Sequence, residues 1–247
     1  MDDINDWQTK FESCQYSDKL IAKLTLINKA VQNPVDIQEV KKAIYYARKY
    51  HGSQIRQSGE PYYSHPLETA YLFAEHVGMK SVQYYTTDLI ITAILHDVIE
   101  DTDLTRNMIA QIFNNSIANK VEDLTRIKFD QKITAGENVN LLFTQYKQDV
   151  LHVKLFDRLH NVQTIKYMSS EKIKRIIDET IIYFIPLCSC LGLGNVQKDL
   201  AKLCIKAELT GQELVVEVAE QQFSLSESYH LPPISENALK KIYKISE

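Results

Sequence analysis

The segment DLIITAILHDVIEDTD, residues 88–103, decides the fold class and points to the chemistry. On a helix with 100° per residue, its ionisable side chains fall within one arc of about 140°: His96, Asp97, Glu100 and Asp101. Apolar residues cover the rest of the surface, which is typical of a buried helix. Buried carboxylates and an imidazole are costly unless they are paired or bound to a metal ion. The segment therefore predicts a buried helix with a metal site, and the alternative is a surface helix whose acidic end is solvated.

A second amphipathic segment, HVKLFDRLHNVQTIKYM at residues 152–168, supplies a further candidate ligand. Asp157 and Asn161 are four residues apart and therefore share one face of a helix. An aspartate beside an apolar stripe suits a fourth metal ligand, although a solvated acid next to Arg158 is the alternative. His160 lies about a third of a turn from that face, so we expect a structural role for it.

A third segment, HGSQIRQSGEPYYSHPLETA at residues 51–70, places His65 before Pro66 at a helix start. Two imidazoles and two carboxylates, with positions left for water, suit a divalent cation such as Mn²⁺. Such an ion lowers the pKa of bound water and polarises a phosphoryl oxygen. Apart from His160, the remaining histidines are expected to be ordinary surface residues: His51, His76, His152 and His230.

The composition limits the possible classes of function. With 45% hydrophobic residues and a formal net charge of −4, the 247-residue chain is typical of soluble globular proteins. The mild acidity argues against a general nucleic-acid binder, which usually carries a basic face. No membrane span is expected, because the most apolar stretch, residues 180–194, is short and contains Pro186. Four cysteines without a C-x-x-C pair and no visible signal peptide predict a cytoplasmic protein with reduced, mostly buried thiols.

Helical periodicity dominates the chain, which has only seven glycines and six prolines. We therefore predict an all-α fold, with helices over residues 18–32, 37–51, 66–77, 82–101, 105–113, 116–126, 137–147, 150–168, 170–187 and 195–208. From Gly211 onward the periodicity weakens. There we expect a short strand or helix at VVEVAEQQF, then a loop and a last helix at ALKKIYKI.

These residues together resemble the HD superfamily, in which an early His is followed by His-Asp and then by a distant Asp. RQSGEPYYSHP, LHDVIEDTDLT and KLFDRLHNVQT are similar to the hydrolase domain of the RelA/SpoT alarmone enzymes and to the small alarmone hydrolases. The similarity continues through DETIIYFIPLCSCLGLGNVQKDLAKL. It implies an HD-domain helical bundle at residues 37–209, an N-terminal helical extension at 1–36 and a short C-terminal extension at 210–247.

The resemblance also implies an activity, namely Mn²⁺-dependent removal of the 3′-pyrophosphate from ppGpp and pppGpp to give GDP or GTP. Four residues match the metal ligands of the family: His65, His96, Asp97 and Asp157. Two acids match the pair that positions and activates water: Glu100 and Asp101. Four residues match the substrate contacts: Arg56, Ser58, Asn161 and Thr164. The implied partner is therefore a small guanosine nucleotide.

Some positions depart from the family pattern, and none is a proposed metal ligand. Gln57 stands where the long enzymes usually carry Lys, Asn140 and Leu141 replace a basic pair, and Cys188-Ser189-Cys190 replaces Ala-His/Asn-Arg. Nothing after about residue 210 resembles a synthetase domain, so we expect a hydrolase-only protein. One alternative is an HD phosphohydrolase of another nucleotide, for example a 2′-phosphatase of NADPH. Another is an inactive module that binds ppGpp, against which the intact ligand set and acid pair argue; the oligomeric state is left open.

Overall fold

α-Helices form nearly all the regular structure in the computed structural model, which describes residues 6–128 and 131–211. The predicted all-α class is therefore confirmed. The described residues include one two-stranded antiparallel hairpin, which the sequence did not predict. The elements expected beyond Gly211, together with His230, lie outside the described residues, and the predicted domain boundaries stay predictions.

The described chain divides into two compact units. The first contains residues 6–125 and 152–157, and the second contains residues 126–128, 131–151 and 158–211. The helices of the first unit are α1 (Trp7–Lys10), α2 (Gln15–Asn28), α3 (Ile37–His51), α4 (Ser64–Lys80), α5 (Thr87–Ile94), α6 (Val98–Asp101), α7 (Arg106–Ile112) and α8 (Asn115–Leu124), with a 3₁₀ turn at Val82–Tyr84.

The second unit begins with a hairpin of β1 (Ile127–Lys128) and β2 (Gln131–Lys132), in which Ile127 pairs with Lys132. Its helices are α9 (Ala135–Thr144), α11 (Ser170–Glu179), α12 (Ile185–Cys190) and α13 (Gly194–Gly211), with a 3₁₀ turn at Ile165–Tyr167 and a π-helical turn at Thr180–Phe184. α10 (Gln148–Gln163) supplies residues 152–157 to the first unit and its other residues to the second.

Apolar stripes assemble the helices of the first unit. α2 buries Leu20, Leu24 and Ile27, which recur at helical spacing, and the helix packs on α4 and α3. Gly78 of α4 allows this close approach, because a Cβ atom there would lie 2.7 Å from Cγ2 of Ile27. α5, in which residues 89–94 are all buried, contacts α3, α4 and α8 and is the central helix of this unit.

The single helix predicted over residues 82–101 is wrong. α5 ends at Ile94, residues 95–97 form a turn, and α6 begins at Val98. Nδ1 of His96 lies 2.8 Å from the carbonyl oxygen of Ala93, which in an uninterrupted helix would accept from the N–H of Asp97. Because the helix is interrupted here, the angular positions expected from an ideal helix do not hold beyond residue 94.

The second unit packs α9 closely against the π-helical turn. Gly136 of α9 is buried, and a Cβ atom at this position would lie 2.3 Å from the ring of Tyr183. The helix predicted over 170–187 is interrupted by this turn and resumes as α12. Pro186 lies in the first turn of α12, where a missing backbone N–H is tolerated.

All four cysteines are free, as the sequence predicts. Cys188 and Cys204 are buried, whereas Cys14 is partly exposed and Cys190 is exposed, so only half of them fit the expectation of buried thiols. Across residues 6–128 and 131–211, no helix combines the length and hydropathy needed to cross a membrane.

Candidate metal centre

The four predicted metal ligands come together in the first unit. His65 is the second residue of α4, His96 and Asp97 lie in the turn between α5 and α6, and Asp157 comes from α10. His65 and His96 are buried, and Asp157 is 8% exposed, so it is not the solvated acid of the alternative interpretation.

Three of the four residues offer ligand atoms that all lie within 4.8 Å of one another: His65, His96 and Asp157. Nε2 of His65 lies 3.3 Å from Nε2 of His96 and 3.2 Å from Oδ1 of Asp157. Oδ2 of Asp97 lies 3.2 Å from Nε2 of His96 and 3.5 Å from Nε2 of His65. An ion held at about 2.1 Å by each ligand would keep neighbouring ligand atoms about 3.0–3.5 Å apart. His65, His96 and Asp157 therefore form a possible metal-binding site, and the carboxylate of Asp97 lies beside both imidazoles.

Neighbouring groups orient the ligands toward this point. The carbonyl oxygen of Ala93 accepts from Nδ1 of His96, which leaves Nε2 of that ring facing the centre. The ammonium of Lys154, which is buried one turn earlier in α10, lies 3.2 Å from Oδ2 of Asp157. Oδ1 of the same carboxylate is thereby left to face His65. Such second contacts are typical of metal sites in proteins.

The electrostatics of the centre favour charged carboxylates. Burial opposes a charge on His96, but the carboxylates of Asp97 and Asp157 outweigh burial and raise its pKa to about 10. Burial would raise the pKa of Asp97, yet the charge on His96 outweighs it and holds that pKa well below its usual range. In the same way, Lys154 and the two imidazoles outweigh burial and lower the pKa of Asp157. A metal ion would displace the proton of His96 and meet two carboxylates that are already charged.

The two predicted catalytic acids follow in α6. Asp101 accepts a hydrogen bond from the hydroxyl of Tyr62 at 2.6 Å, and the same hydroxyl lies 3.2 Å from Oδ2 of Asp97. Burial and the charge of Asp97 raise the pKa of Asp101, which the hydrogen bond from Tyr62 partly offsets. Glu100 lies beside Asp101 in the same short helix, and its charge also raises that pKa.

The predicted R-x-S-G-E-P segment forms a tight turn between α3 and α4. The backbone N–H of Arg56 donates to the carbonyl of Glu60 at 2.9 Å, and the N–H of Gly59 donates back to the carbonyl of Arg56. Gly59 has a φ of 87°, a conformation that favours glycine. Ser58 donates to the carboxylate of Glu60 at 3.1 Å. The turn thus places Arg56 and Ser58 in one loop that leads directly into His65.

The other two predicted substrate contacts belong to the second unit. Asn161 lies in the last turn of α10, and Thr164 follows that helix. The hydroxyl of Thr164 donates to the carbonyl of His160 at 3.0 Å. Their role in binding substrate stays a prediction.

Sequence reasoning missed several residues of the centre. The sequence motifs do not include Tyr62 or Lys154, and His51, which is expected at the surface, is 1% exposed. The expectation for His152 was also wrong, since it is 2% exposed and packs against the ring of Tyr84. A signal for Lys154 was present in the sequence, because it precedes Asp157 by three residues and so lies near it on a helix.

Comparison with known proteins identifies a family and several relatives of this chain. The family model described as HD domain matches residues 43–194. GTP pyrophosphokinase rsh of Brucella ovis is 35% identical over 195 residues, which are 76% of this chain and 25% of that protein. The guanosine-3′,5′-bis(diphosphate) 3′-pyrophosphohydrolase of Aquifex aeolicus is 37% identical over 176 residues, 70% of this chain and 24% of that protein.

A further relative is the bifunctional (p)ppGpp synthase/hydrolase SpoT of Escherichia coli, which is 37% identical over 190 residues. The match covers 73% of this chain and 26% of that protein. This chain therefore spans about a quarter of the length of the curated relatives it matches. These matches confirm the resemblance to the RelA/SpoT enzymes that the sequence motifs indicated.

Proposed function

This chain belongs to the HD domain family, and we propose that it is a Mn²⁺-dependent hydrolase that removes the 3′-pyrophosphate from ppGpp and pppGpp. The products are GDP or GTP together with pyrophosphate. One observation carries the proposal: two imidazole nitrogens and two carboxylate oxygens converge, with distances of 3.2–3.6 Å from each nitrogen to the other three atoms. The names of the relatives from Aquifex aeolicus and Escherichia coli support the choice of substrate.

The ligand set fits a divalent transition metal. His65, His96, Asp97 and Asp157 would hold the ion, and imidazole with carboxylate ligands suits Mn²⁺ better than Mg²⁺. When bound, the ion would lower the pKa of a coordinated water and polarise a phosphoryl oxygen. Lys154 contributes by holding Asp157 in the orientation that faces the two imidazoles.

The two acids of α6 would handle the protons of the reaction. Glu100 is proposed as the general base that orients and deprotonates the attacking water, and Asp101 as its partner or as the proton donor to the departing group. The expectation that Glu100 lies on the same helical face as His96 rested on an uninterrupted helix, which the turn at residues 95–97 overturns. The proposed roles now rest on the family motif and on the contacts of Asp101 with Tyr62.

The substrate would be held by residues of the R-x-S-G-E-P turn. A guanidinium is always charged and planar, so Arg56 can pair with a phosphate or stack on a base. Ser58 lies two residues further along the same turn, and Asn161 and Thr164 are proposed contacts of the base and ribose. Gln57 replaces a cation of the family pattern, so one phosphate or base contact would be weaker.

The decisive experiment supplies candidate nucleotides to the purified full chain with Mn²⁺. Incubation with ppGpp or pppGpp should release pyrophosphate and GDP or GTP, detected by ion-exchange chromatography. Excess EDTA should abolish turnover, and Mn²⁺ should restore it better than Mg²⁺. NADPH is the parallel substrate: release of phosphate from it, with ppGpp untouched, would replace the proposed function by that of a 2′-phosphatase. Tight binding of ppGpp without any turnover would instead indicate the inactive module.

A further inference from the structure

The side chains of His51, Gln54 and Tyr62 form a closed ring of contacts with Asp101, one of the two acids. The hydroxyl of Tyr62 donates to Asp101, and the backbone carbonyl of Asp101 accepts from the amide nitrogen of Gln54 at 2.8 Å. The amide oxygen of Gln54 lies 2.9 Å from Nδ1 of His51, and the ring of His51 stacks on that of Tyr62. The ring of contacts therefore joins the end of α3, the turn before α4 and the end of α6.

The polarity of these bonds follows from the donors and acceptors available. Because the amide nitrogen of Gln54 donates to Asp101, its amide oxygen is the group that faces His51. Nδ1 of His51 must therefore carry the hydrogen of that bond. The two aromatic rings have centroids 4.6 Å apart and are inclined by 23°, and the backbone N–H of Tyr62 also donates to the carbonyl of Gln54 at 2.8 Å. Tyr62 is thus fixed by its ring face and by its backbone.

The hydroxyl of Tyr62 lies close to two carboxylates. A phenol has one hydrogen to donate, and at neutral pH the phenol keeps it. Oδ2 of Asp101 at 2.6 Å is the closer acceptor, and Oδ2 of Asp97 follows at 3.2 Å. Two neighbouring carboxylates repel each other. A donor placed between them offsets that repulsion and keeps the side chain of Asp101, which is an exposed residue at the end of a short helix, from turning into solvent.

We propose that Tyr62 is a positioning residue that holds the carboxylate of Asp101 next to the metal ligand Asp97. The inference rests on the proposed function for its effect on turnover, but the hydrogen bond itself does not depend on the substrate. His51 and Gln54 act one step further away, because they hold Tyr62 and the backbone of Asp101 in place. The competing interpretation is that Tyr62 only fills space between α3 and α6.

The variant Tyr62→Phe separates these interpretations, since it keeps the ring and its stacking on His51 and removes the hydroxyl alone. Turnover of ppGpp with Mn²⁺ should fall on the order of tenfold, the loss expected for a hydrogen bond to a charged group. KM should stay within about twofold and bound Mn²⁺ should be unchanged, because a positioning role acts on the reaction step. The matched control is Tyr63→Phe, whose ring faces the guanidinium of Arg48 at 5.1 Å.

A double-mutant cycle with Asp101→Ala then tests whether Tyr62 acts through Asp101. If it does, Tyr62→Phe costs almost nothing further in the Asp101→Ala background. Three outcomes would each overturn the proposal. They are a double variant whose loss of rate is the product of the two single losses, an unchanged rate in Tyr62→Phe, and loss of Mn²⁺ from Tyr62→Phe.

The same cycle measured by urea unfolding of the EDTA-treated full chain gives a readout that needs no substrate. The effects of the two substitutions on the free energy of unfolding should be non-additive. Additive effects would show that the hydrogen bond has no energetic weight. If the wild-type chain fails to hydrolyse ppGpp, the proposed function fails, while the unfolding cycle still decides whether Tyr62 holds Asp101.

Discussion

At the scale of single residues, a buried lysine that is not a proposed ligand lies beside the candidate metal centre. Lys154 is 6% exposed, and its ammonium engages one oxygen of Asp157 while the other oxygen faces the imidazoles. A buried charge of this kind is tolerated only with a close partner of opposite sign. Burying the Lys154–Asp157 pair costs free energy of desolvation, and the role of Lys154 in orienting Asp157 explains why the pair is buried there.

Replacing this lysine should weaken metal binding without removing a ligand. In Lys154→Met the side chain keeps its length, but Asp157 loses the group that orients it, so the affinity for Mn²⁺ should fall by ~10–100-fold. Isothermal titration with Mn²⁺ measures the change. Lys42→Met is the matched control, because Lys42 forms a similar pair with Glu39 one turn away at 3.5 Å on α3. Equal affinities in both variants would mean that Lys154 has no part in the centre.

Substitution of the proposed general base should separate rate from binding. Glu100→Gln keeps the size and hydrogen bonding of the side chain but cannot take a proton. We therefore expect kcat for ppGpp to fall by ~10²–10⁴-fold, with Mn²⁺ content and KM nearly unchanged. Elemental analysis and single-turnover rates check both parts. A variant purified without metal would make Glu100 a ligand, and a wild-type rate would leave water activation to other groups.

The residues of the centre differ in how far the sequence could reveal them. His96 and Asp97 are adjacent, and Asp157 stands out as an acid within an apolar pattern, so their residue types alone suggested a metal site. Tyr62 could not be found in this way. Its contact with Asp97 joins residues 35 positions apart and depends on the turn of residues 95–97, which no periodicity encodes.

At the scale of secondary-structure elements, helical periodicity located the helices but not their interruptions. The predicted helix over 37–51 agrees with α3, whose first turn is capped by the side chain of Asp36. The helix predicted over 82–101 fails at two places. Thr86 caps α5, so residues 82–84 form a separate 3₁₀ turn. The helix ends again before His96, because a side-chain bond to the Ala93 carbonyl is invisible in a hydrophobic pattern. The interruption at residues 95–97 also removes the basis for placing His96 and Glu100 on one face of a single helix.

The contact between α9 and the π-helical turn gives a test of packing in the second unit. Alanine normally stabilises a helix by ~0.5–1 kcal/mol relative to glycine. At Gly136, however, the added Cβ would lie 2.3 Å from the ring of Tyr183, far inside contact distance. Gly136→Ala should therefore destabilise the protein by ~1–3 kcal/mol, as overpacking does.

Urea unfolding measures this loss, and two further variants identify its cause. Gly194→Ala, at the start of α13, has no neighbouring atom within 4 Å of the added Cβ and should not destabilise. Tyr183→Ala should remove most of the penalty of Gly136→Ala when the two are combined. If Gly136→Ala is as stable as the wild type, the ring of Tyr183 moves aside at no cost.

At the scale of the whole molecule, a bound ion should stabilise the fold. The centre joins α4, the turn after α5 and α10, so it exists only in the folded protein. Mn²⁺ at a hundred times its dissociation constant should add ~2.7 kcal/mol to the free energy of unfolding and raise Tm by about 5–10 °C. Differential scanning fluorimetry should show this shift for the wild type and no shift for Asp157→Ala. An equal shift in both would place the stabilising ion elsewhere.

The discontinuous first unit has a consequence for the order of events during synthesis on the ribosome. Residues 6–125 emerge first, but the segment 152–157 that completes their unit is made later. Phe156, whose ring lies 5.9 Å from that of Phe73, and Asp157 both belong to that late segment. A nascent chain that ends near residue 125 therefore exposes part of its core and cannot assemble the centre. An ion that needs Asp157 as well as the two histidines would therefore be captured only after α10 has emerged.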